Sequence, residues 1–187
     1  FILIIVLFYP AIYCFCAVAF LIARRSVGPI VRDDAFRPAV TIIIASAGEG
    51  VETIREKIDN TLALSYRPEL LENILFSDGK PISASFERDA YERVRFIQFE
   101  QLGKTECQNR CVALASGDII LFTDVTSMLD PDSLSLMVRW YADPRVGSVG
   151  GSFAYRFMHA NVEAGYVTRE IKNKLMHSRY GIVTGYF

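Results

Sequence analysis

Three acidic residues stand where apolar, strand-like segments of this chain end. Glu49 follows the first such segment, Asp78 ends the second and Asp124 ends the fourth, while Lys104 begins a helical stretch. Carboxylates in these positions can accept hydrogen bonds from a base or a ribose, or can hold a hard divalent cation, and a lysine can bind a phosphate. A single acid at a strand end is most often a helix cap or a solvated loop residue. Several acids with a lysine nearby instead favour one shared binding crevice.

A mostly parallel α/β sheet would bring these side chains together. Continuously apolar or alternating segments take turns with segments of helical periodicity, which is typical of βαβ units with helices on both faces. In such sheets, ligands bind at the carboxyl ends of the strands. The predicted strands are residues 39–45, 71–78, 94–100, 118–124 and 146–157, and the predicted helices are residues 51–64, 82–94, 104–115, 131–142 and 161–178.

Composition and missing motifs exclude several kinds of partner. The 187 residues contain 20 Lys and Arg against 21 Asp and Glu, with no basic stripe, so a nucleic-acid partner is not expected. The first predicted strand is not followed by G-x-G-x-x-G, and the chain has no Walker A sequence. Dinucleotide-binding and P-loop functions therefore lose their main support.

The first 23 residues contain no charge and predict a transmembrane helix. As a helix they would span roughly 34 Å, enough to cross the hydrocarbon core of a bilayer. A signal peptide cleaved near Ala17-Val18-Ala19 and a buried core helix are the alternatives. Arg24 and Arg25 follow at once, so the positive-inside rule places the rest of the chain in the cytoplasm. Residues 24–38, which are charged and contain Gly and Pro, are predicted to be a linker.

Four cysteines do not predict a disulfide framework or a zinc site. Cys107 and Cys111 lie one helical turn apart, and no second pair has the spacing of zinc ligands. We expect them to be reduced, structural thiols of a cytosolic domain.

Four quoted segments carry a resemblance to a known family: VTIIIASAGEG, ILFSDG, LGKTECQNRCVALASGDIILFTDVTSMLDPDSLSLMV and DPRVGSVGG. Their order resembles a family 2 glycosyltransferase of the GT-A (Rossmann-like) fold, of the bacterial membrane-attached type related to cellulose and hyaluronan synthases. The resemblance covers residues 38–187 and implies a GT-A domain over residues 39–187. It further implies metal-assisted, inverting transfer of a sugar from a nucleotide-diphosphate donor, usually a UDP-sugar, to a polysaccharide, lipid or other acceptor.

The resemblance also implies which residues bind the donor nucleotide. Asp78 matches the second acid of the family's D-D-G turn, which contacts the uracil or the ribose, and Ser77 replaces the first acid. Glu49 falls on the acid of the family's A-Y-N-E loop beside the nucleoside, although the residues before it differ. Lys104 matches the lysine of the G-K element near the donor. Asp124 is the fourth residue that the resemblance implies in binding of the donor nucleotide.

A divalent cation, Mg²⁺ or Mn²⁺, is implied by the family's D-x-D motif. Asp124 matches its first acid, and Thr126 stands in the place of the second acid. Since a hydroxyl is a weaker ligand than a carboxylate, we expect Asp124 and Thr126 to form a metal site that depends on the donor diphosphate for further oxygens.

The resemblance places the catalytic base of the family beyond Phe187, so this sequence is expected to be a C-terminally truncated donor half-site that is inactive alone. The altered acids leave a second hypothesis open, a catalytically degenerate paralogue that binds a nucleotide or a partner. A nucleotidyl-sugar pyrophosphorylase would instead need a glycine-rich, basic loop after the first strand. The segment ASAGEG contains neither Lys nor Arg.

Overall fold

The computed structural model describes residues 30–82, 86 and 90–151, together with positions 11, 12, 14, 15 and 18 of the apolar N-terminal segment. The chain divides into two compact units, Phe1–Ile30 and Val31–Phe187. Within the described residues, no helix is both long enough and apolar enough to cross a membrane. The transmembrane helix expected over residues 1–23 falls largely on positions outside those described, and it stays a prediction.

A four-stranded parallel sheet forms the centre of the second unit. The described strands lie in the order β3-β2-β1-β4, and every neighbouring pair is parallel. This architecture confirms the predicted α/β class, and Ala45 of the first strand pairs with Asp124 of the fourth. The strands are β1 (Val40–Ser46), β2 (Leu71–Asp78), β3 (Val94–Phe99) and β4 (Ile119–Asp124).

Among the described residues, helices connect the first strand to the second and the third strand to the fourth, and some elements differ from the sequence prediction. A turn at residues 92 and 93 ends the segment expected to be a helix over 82–94, and residues 146–151 contain no strand. The remainder of these two segments is largely outside the described part of the chain, as is the whole helix expected over residues 161–178. The helices are α1 (Val51–Leu62), α2 (Lys104–Val112) and α3 (Ser133–Val138), with 3-10 turns at Pro68–Leu70 and Arg139–Ala142.

The core explains why β1 is continuously apolar. One face of this strand packs with Ile54 and Ile58 of α1, while Ile43 on the other face packs with Cys107 and Cys111 of α2. A strand covered on both sides is apolar at most positions, because successive side chains point to opposite faces. The buried Thr41 of β1 has a polar partner, since its hydroxyl donates to Glu72 Oε2 at 2.6 Å. Each buried isoleucine stabilises this arrangement by roughly 1.5–3 kcal/mol relative to an exposed one.

Strand order determines where a ligand can bind. The chain passes from β1 to β2 on one side and later returns to β4 on the other side, so the strand order reverses between β1 and β4. Open α/β sheets bind ligands in the crevice at this reversal, beyond the carboxyl ends of the strands. Ser46 and Asp124 are the last residues of the two strands that border it.

Part of the predicted linker contacts the domain. The Val31 N–H donates to the Asp143 carboxylate at 3.0 Å, and the Asp33 N–H donates to the main-chain oxygen of Arg139 at 3.0 Å. The Tyr66 hydroxyl donates to the main-chain oxygen of Pro38 at 2.6 Å. Residues 31–38 are therefore part of the second unit and are bonded to its other segments.

Candidate functional site

Lys104 and Asp124 meet at the strand reversal. Lys104 is the first residue of α2 and Asp124 is the last residue of β4, and Lys104 Nζ lies 2.7 Å from Asp124 Oδ1. The two side chains are 51% and 39% exposed, so solvent screening limits the ion pair to about 0–1 kcal/mol of stability. A weak, exposed pair of this kind can be separated by a ligand that binds either partner better.

The turn after β4 presents Asp124 and Thr126 within three residues. The Ser127 N–H donates to the main-chain oxygen of Asp124 at 3.0 Å, and the Val125 N–H continues the sheet by donating to Ala45. Val125 is fully buried between them, whereas Asp124 is partly exposed and Thr126 is exposed. The carboxylate and the hydroxyl therefore remain accessible while Val125 anchors the turn in the core.

Glu49 folds back on its own loop at the end of β1. Its Oε2 accepts hydrogen bonds from Ser46 Oγ at 2.7 Å and from the Ala47 N–H at 2.8 Å. Burial acts to raise the pKa of this carboxyl, but the hydrogen bonds outweigh it and leave the pKa below its ordinary value. The negative charge of Asp124 also acts to raise the pKa of Glu49, as burial does. Glu49 is thus an ionised acid on the same edge as the ion pair.

Asp78 holds the loop that leads into α2. Its Oδ1 accepts the Leu102 N–H at 2.7 Å and its Oδ2 accepts the Gly103 N–H at 2.9 Å. Gly103 has a φ of 88°, which a residue with a side chain rarely adopts. Asp78 therefore sets the conformation of the loop immediately before Lys104, and it does not touch Lys104 in the described contacts.

Ser77, which replaces an acid of the family turn, points into the protein. The residue is fully buried, and its hydroxyl donates to the main-chain oxygen of Lys80. The aliphatic part of the Lys80 side chain packs closely on Gly48. A Cβ placed on Gly48 would lie only 2.5 Å from Lys80 Cδ. The loops after β1 and β2 are consequently packed together, with a serine hydroxyl where a carboxylate would be buried.

Lys57 is a residue that motif matching missed. It is fully buried in α1, and its Nζ donates to Thr123 Oγ1 at 2.9 Å and to the main-chain oxygen of Ser127. Burial lowers the pKa of Lys57 to about 8, while the nearby Asp124 acts in the opposite direction. The signal in the sequence was a lysine on the helix face that also carries Ile54 and Ile58.

The donor atoms at this edge fit a hard divalent cation only with help from a ligand. Asp124 and Thr126 supply oxygen, which Mg²⁺ and Mn²⁺ prefer. Within the part of the chain that the structure describes, no three His, Cys, Asp or Glu residues are grouped closely enough to hold a metal ion alone. Mg²⁺ commonly uses one or two carboxylates and takes its other oxygens from substrate phosphates and water, which suits this pair.

Two curated proteins are similar to this chain in sequence. An N-acetylglucosaminyltransferase of Azorhizobium caulinodans is 27% identical over 161 residues, covering 78% of this chain and 39% of that protein. A poly-beta-1,6-N-acetyl-D-glucosamine synthase of Staphylococcus aureus is 28% identical over 118 residues, covering 60% of this chain and 28% of that protein. The chain spans about two fifths or less of these relatives.

A solved structure has the same fold over most of this chain. It is a mannosyltransferase from Pyrobaculum calidifontis in complex with GDP-Man and Mn²⁺, with a TM-score of 0.56 and 25% sequence identity, covering 74% of this chain and 41% of that one. The family model described as Glycosyl transferase family 2 matches residues 41–184, which include all of the sheet except Val40 and every predicted site residue. Sheet, strand-end acids and family model together show that the chain belongs to glycosyl transferase family 2.

Proposed function

We propose that this chain is the donor-binding part of an enzyme that transfers a sugar from a nucleotide-diphosphate donor, a UDP-sugar, to a glycan or lipid acceptor. The observation that carries the proposal is the Lys104–Asp124 ion pair at the reversal of strand order. A lysine and a carboxylate joined only by a weak, exposed pair can separate, so that the ammonium binds phosphate and the carboxylate binds a cation. The names of the two curated relatives make UDP-N-acetylglucosamine the first donor to test.

Four residues would bind the donor in this proposal. Lys104 would contact the diphosphate, and Asp124, 2.7 Å from Lys104, would contact the cation bound to that diphosphate. Glu49 lies on the same edge as the ion pair, where its carboxylate would accept a hydrogen bond from the nucleoside in addition to those that Oε2 accepts from Ser46 and Ala47. Asp78 shapes the loop before Lys104. Its carboxylate accepts the Leu102 and Gly103 N–H groups and contacts the Cys107 thiol, and a carboxylate has a further acceptor site for a ribose or base donor.

Asp124 and Thr126 would hold Mg²⁺ or Mn²⁺, which stabilises the negative charge of a departing diphosphate when bound. Lys104 adds positive charge on the same side and orients the phosphates by hydrogen bonding. An inverting transfer also needs a carboxylate that accepts the proton of the acceptor hydroxyl. We assign that role to a residue beyond Phe187 and to no acid of the described part.

Attachment to the membrane is a further part of the proposal. The uncharged residues 1–23 would span the bilayer, and Arg24 and Arg25 would keep the transferase domain on the cytoplasmic side. A reporter fused after residue 187 and a protease-protection assay on sealed vesicles test this orientation. Protection of the domain inside inverted vesicles would contradict it.

The deciding experiment uses the full natural chain in detergent or membranes, with radiolabelled UDP-N-acetylglucosamine and Mn²⁺. Sugar transfer to a lipid or glycan fraction, lost in Asp124→Asn, is the expected result. UDP binding with neither sugar transfer nor donor hydrolysis would favour the degenerate paralogue. Thr126 and Ser77, which replace acids of the family motifs, are the observations that support this alternative. Failure to bind UDP or GDP with either cation would refute both readings.

A further inference from the structure

Lys57 lies in an unusual environment for a lysine. It has 0% relative exposure and belongs to the largest fully buried side chains among the described residues. It occupies the inner face of α1, one helical turn from Ile54 and beside Ile58. Lysine is almost never fully buried unless paired, because removing an ammonium from water has a large free-energy cost. An apolar side chain of similar length would fill the same volume without that cost.

The contacts of Lys57 are to the two ends of one turn. Thr123 precedes Asp124 and Ser127 ends the turn, and the ammonium donates to the hydroxyl of the first and to the main-chain oxygen of the second. Lys57 thereby closes the turn from its buried side, while Asp124 and Thr126 remain accessible on it. A charged donor between two neutral acceptors makes stronger hydrogen bonds than a neutral donor would.

A second residue of α1 continues this support. Asn60, three residues after Lys57, donates its side-chain amide to the main-chain oxygen of Leu129 at 2.8 Å and accepts the Leu129 N–H at 2.8 Å. Residues i and i+3 lie on the same helix face, so α1 holds the connection from β4 at both Ser127 and Leu129. The hydrogen bonds of Lys57 and Asn60 together hold the segment after β4, so Lys57 is not an isolated buried charge.

We propose that Lys57 is a positioning residue, which fixes the Asp124–Ser127 turn so that Asp124 can bind the metal–diphosphate part of the donor. The proposal rests on the proposed function. Lys57 does not touch the ligand; it acts through the turn, and its positive charge partly balances the charge that Asp124 and a diphosphate bring to this edge. Loss of the ammonium would loosen the turn and weaken attraction for the anionic metal–UDP complex, and both effects have the same sign.

The test compares Lys57→Met with Ile58→Val in the full natural chain. Methionine keeps the length and apolar stem of lysine, and the valine control removes a methyl group from a fully buried neighbour on the same helix without removing a hydrogen bond to the turn. UDP affinity in Mn²⁺ is measured by calorimetry, and amide hydrogen exchange is measured over residues 123–129. Thermal unfolding shows whether the two variants lose comparable stability.

Lys57→Met is expected to weaken Mn²⁺-dependent UDP binding about 10–100-fold, as is usual when the support of a metal ligand is lost. Exchange of the Ser127 amide should accelerate, while the Val125 amide, bonded to β1, should stay protected. Ile58→Val should change neither. Equal affinity and equal exchange in Lys57→Met and the control would overturn the proposal.

A second variant keeps the proposal testable where Lys57→Met does not fold. Thr123→Val removes the hydroxyl that accepts from Lys57, and it should raise Ser127 exchange and weaken binding in the same direction. Unchanged values in Thr123→Val would also overturn the proposal. If the wild-type chain binds no nucleotide at all, the proposed function fails; if the wild type binds and Lys57→Met binds equally well, only this inference fails.

Discussion

Lys104 Nζ lies 2.7 Å from Asp124 Oδ1, so that the first residue of α2 and the last residue of β4 form an ion pair across the carboxyl edge of the sheet. In the proposed function, Asp124 binds the cation and Lys104 binds the diphosphate. Donor binding must therefore break the Lys104–Asp124 contact and replace it with two others, Asp124 to the cation and Lys104 to the diphosphate. Mutations of the two partners should consequently have different effects.

Asp124→Asn should abolish the enhancement of UDP binding by Mn²⁺, because a neutral amide is a poor ligand for a hard cation. Lys104→Met should instead weaken UDP binding about 10–100-fold, the value of one lost hydrogen bond to a charged group. It should not weaken binding of Mn²⁺ alone, since Asp124 is released from its partner. Calorimetry for UDP and electron paramagnetic resonance for free Mn²⁺ measure the two effects.

Arg110→Met is the matched control for these variants. Arg110 also lies on α2 and forms an exposed ion pair, with Glu106 at 2.9 Å, but it is at the opposite end of the helix. Its substitution should leave both affinities unchanged. An equal loss of UDP affinity in Lys104→Met and Arg110→Met would mean that the net positive charge of α2, and not the Lys104–Asp124 contact, determines UDP binding.

Thr126→Asp should strengthen Mn²⁺ binding by about tenfold, because it adds an exposed carboxylate to the turn that carries Asp124. Ser77→Asp should behave differently, since Ser77 is fully buried with its hydroxyl on the Lys80 main chain. An additional buried carboxylate there should cost several kcal/mol of stability. Denaturant unfolding and Mn²⁺ titration of both variants, with Ser77→Thr as control, check this contrast.

Asp78→Ala should lower the free energy of unfolding by about 1–2 kcal/mol, as the Leu102 and Gly103 amides lose a charged acceptor. The loop before Lys104 should loosen, so that UDP binding weakens as well. Asp78→Asn keeps one acceptor oxygen and should lie between the wild type and Asp78→Ala. Equal effects of the two variants on both measurements would contradict the role of Asp78 as a loop anchor.

Gly117→Ala should destabilise the domain by about 1–3 kcal/mol, the usual cost of overpacking. A Cβ on Gly117 would lie 2.5 Å from the Thr41 main-chain nitrogen, and the Gly117 N–H donates to Thr41 Oγ1 at 2.9 Å. Gly147→Ala is the control, because no atom of a described residue other than its chain neighbours lies within 4 Å of the added Cβ. Urea unfolding of the two variants should separate them clearly.

Cys107 and Cys111 should resist alkylation in the folded domain at pH 8. Both thiols are fully buried, and burial raises the pKa of each to about 11 from 9. Because the folded state holds these protons more tightly than the unfolded state, this contribution to stability is complete below pH 9 and is lost as the pH rises towards 11. Iodoacetamide labelling followed by mass spectrometry measures the protection.

The labelling experiment uses a chain with Cys14→Ser and Cys16→Ser, so that Cys107 and Cys111 are the two thiols of the sequence that iodoacetamide can label. Guanidinium should make both thiols reactive at once. Rapid labelling of the native chain at pH 8 would contradict the packing of α2 against the sheet.

Period and composition were enough to predict the centre of the fold. The apolar, β-branched run of β1 predicted a strand covered on both faces, and its alternation with helical segments predicted parallel strands. Parallel strands end on one edge, so the order of the chain already brought Asp78 and Asp124 to the same side as Lys104. The broken helix after Pro131 was not predicted, since helical spacing does not distinguish an α-helix from a short helix followed by a 3-10 turn.

The partner of each side chain was decided only by the tertiary structure. Sequence matching predicted Asp78 as a nucleoside contact and Ser77 as a lost acid, and neither prediction included the contacts that packing adds, from Asp78 to the 102–103 amides and from Ser77 to Lys80. Lys57 matched no motif at all. Its role depends on Thr123 and Ser127, which lie 66 and 70 residues away along the chain. Local periodicity places residues on faces and edges, but hydrogen bonds of a few ångströms between distant segments exist only once those segments have packed.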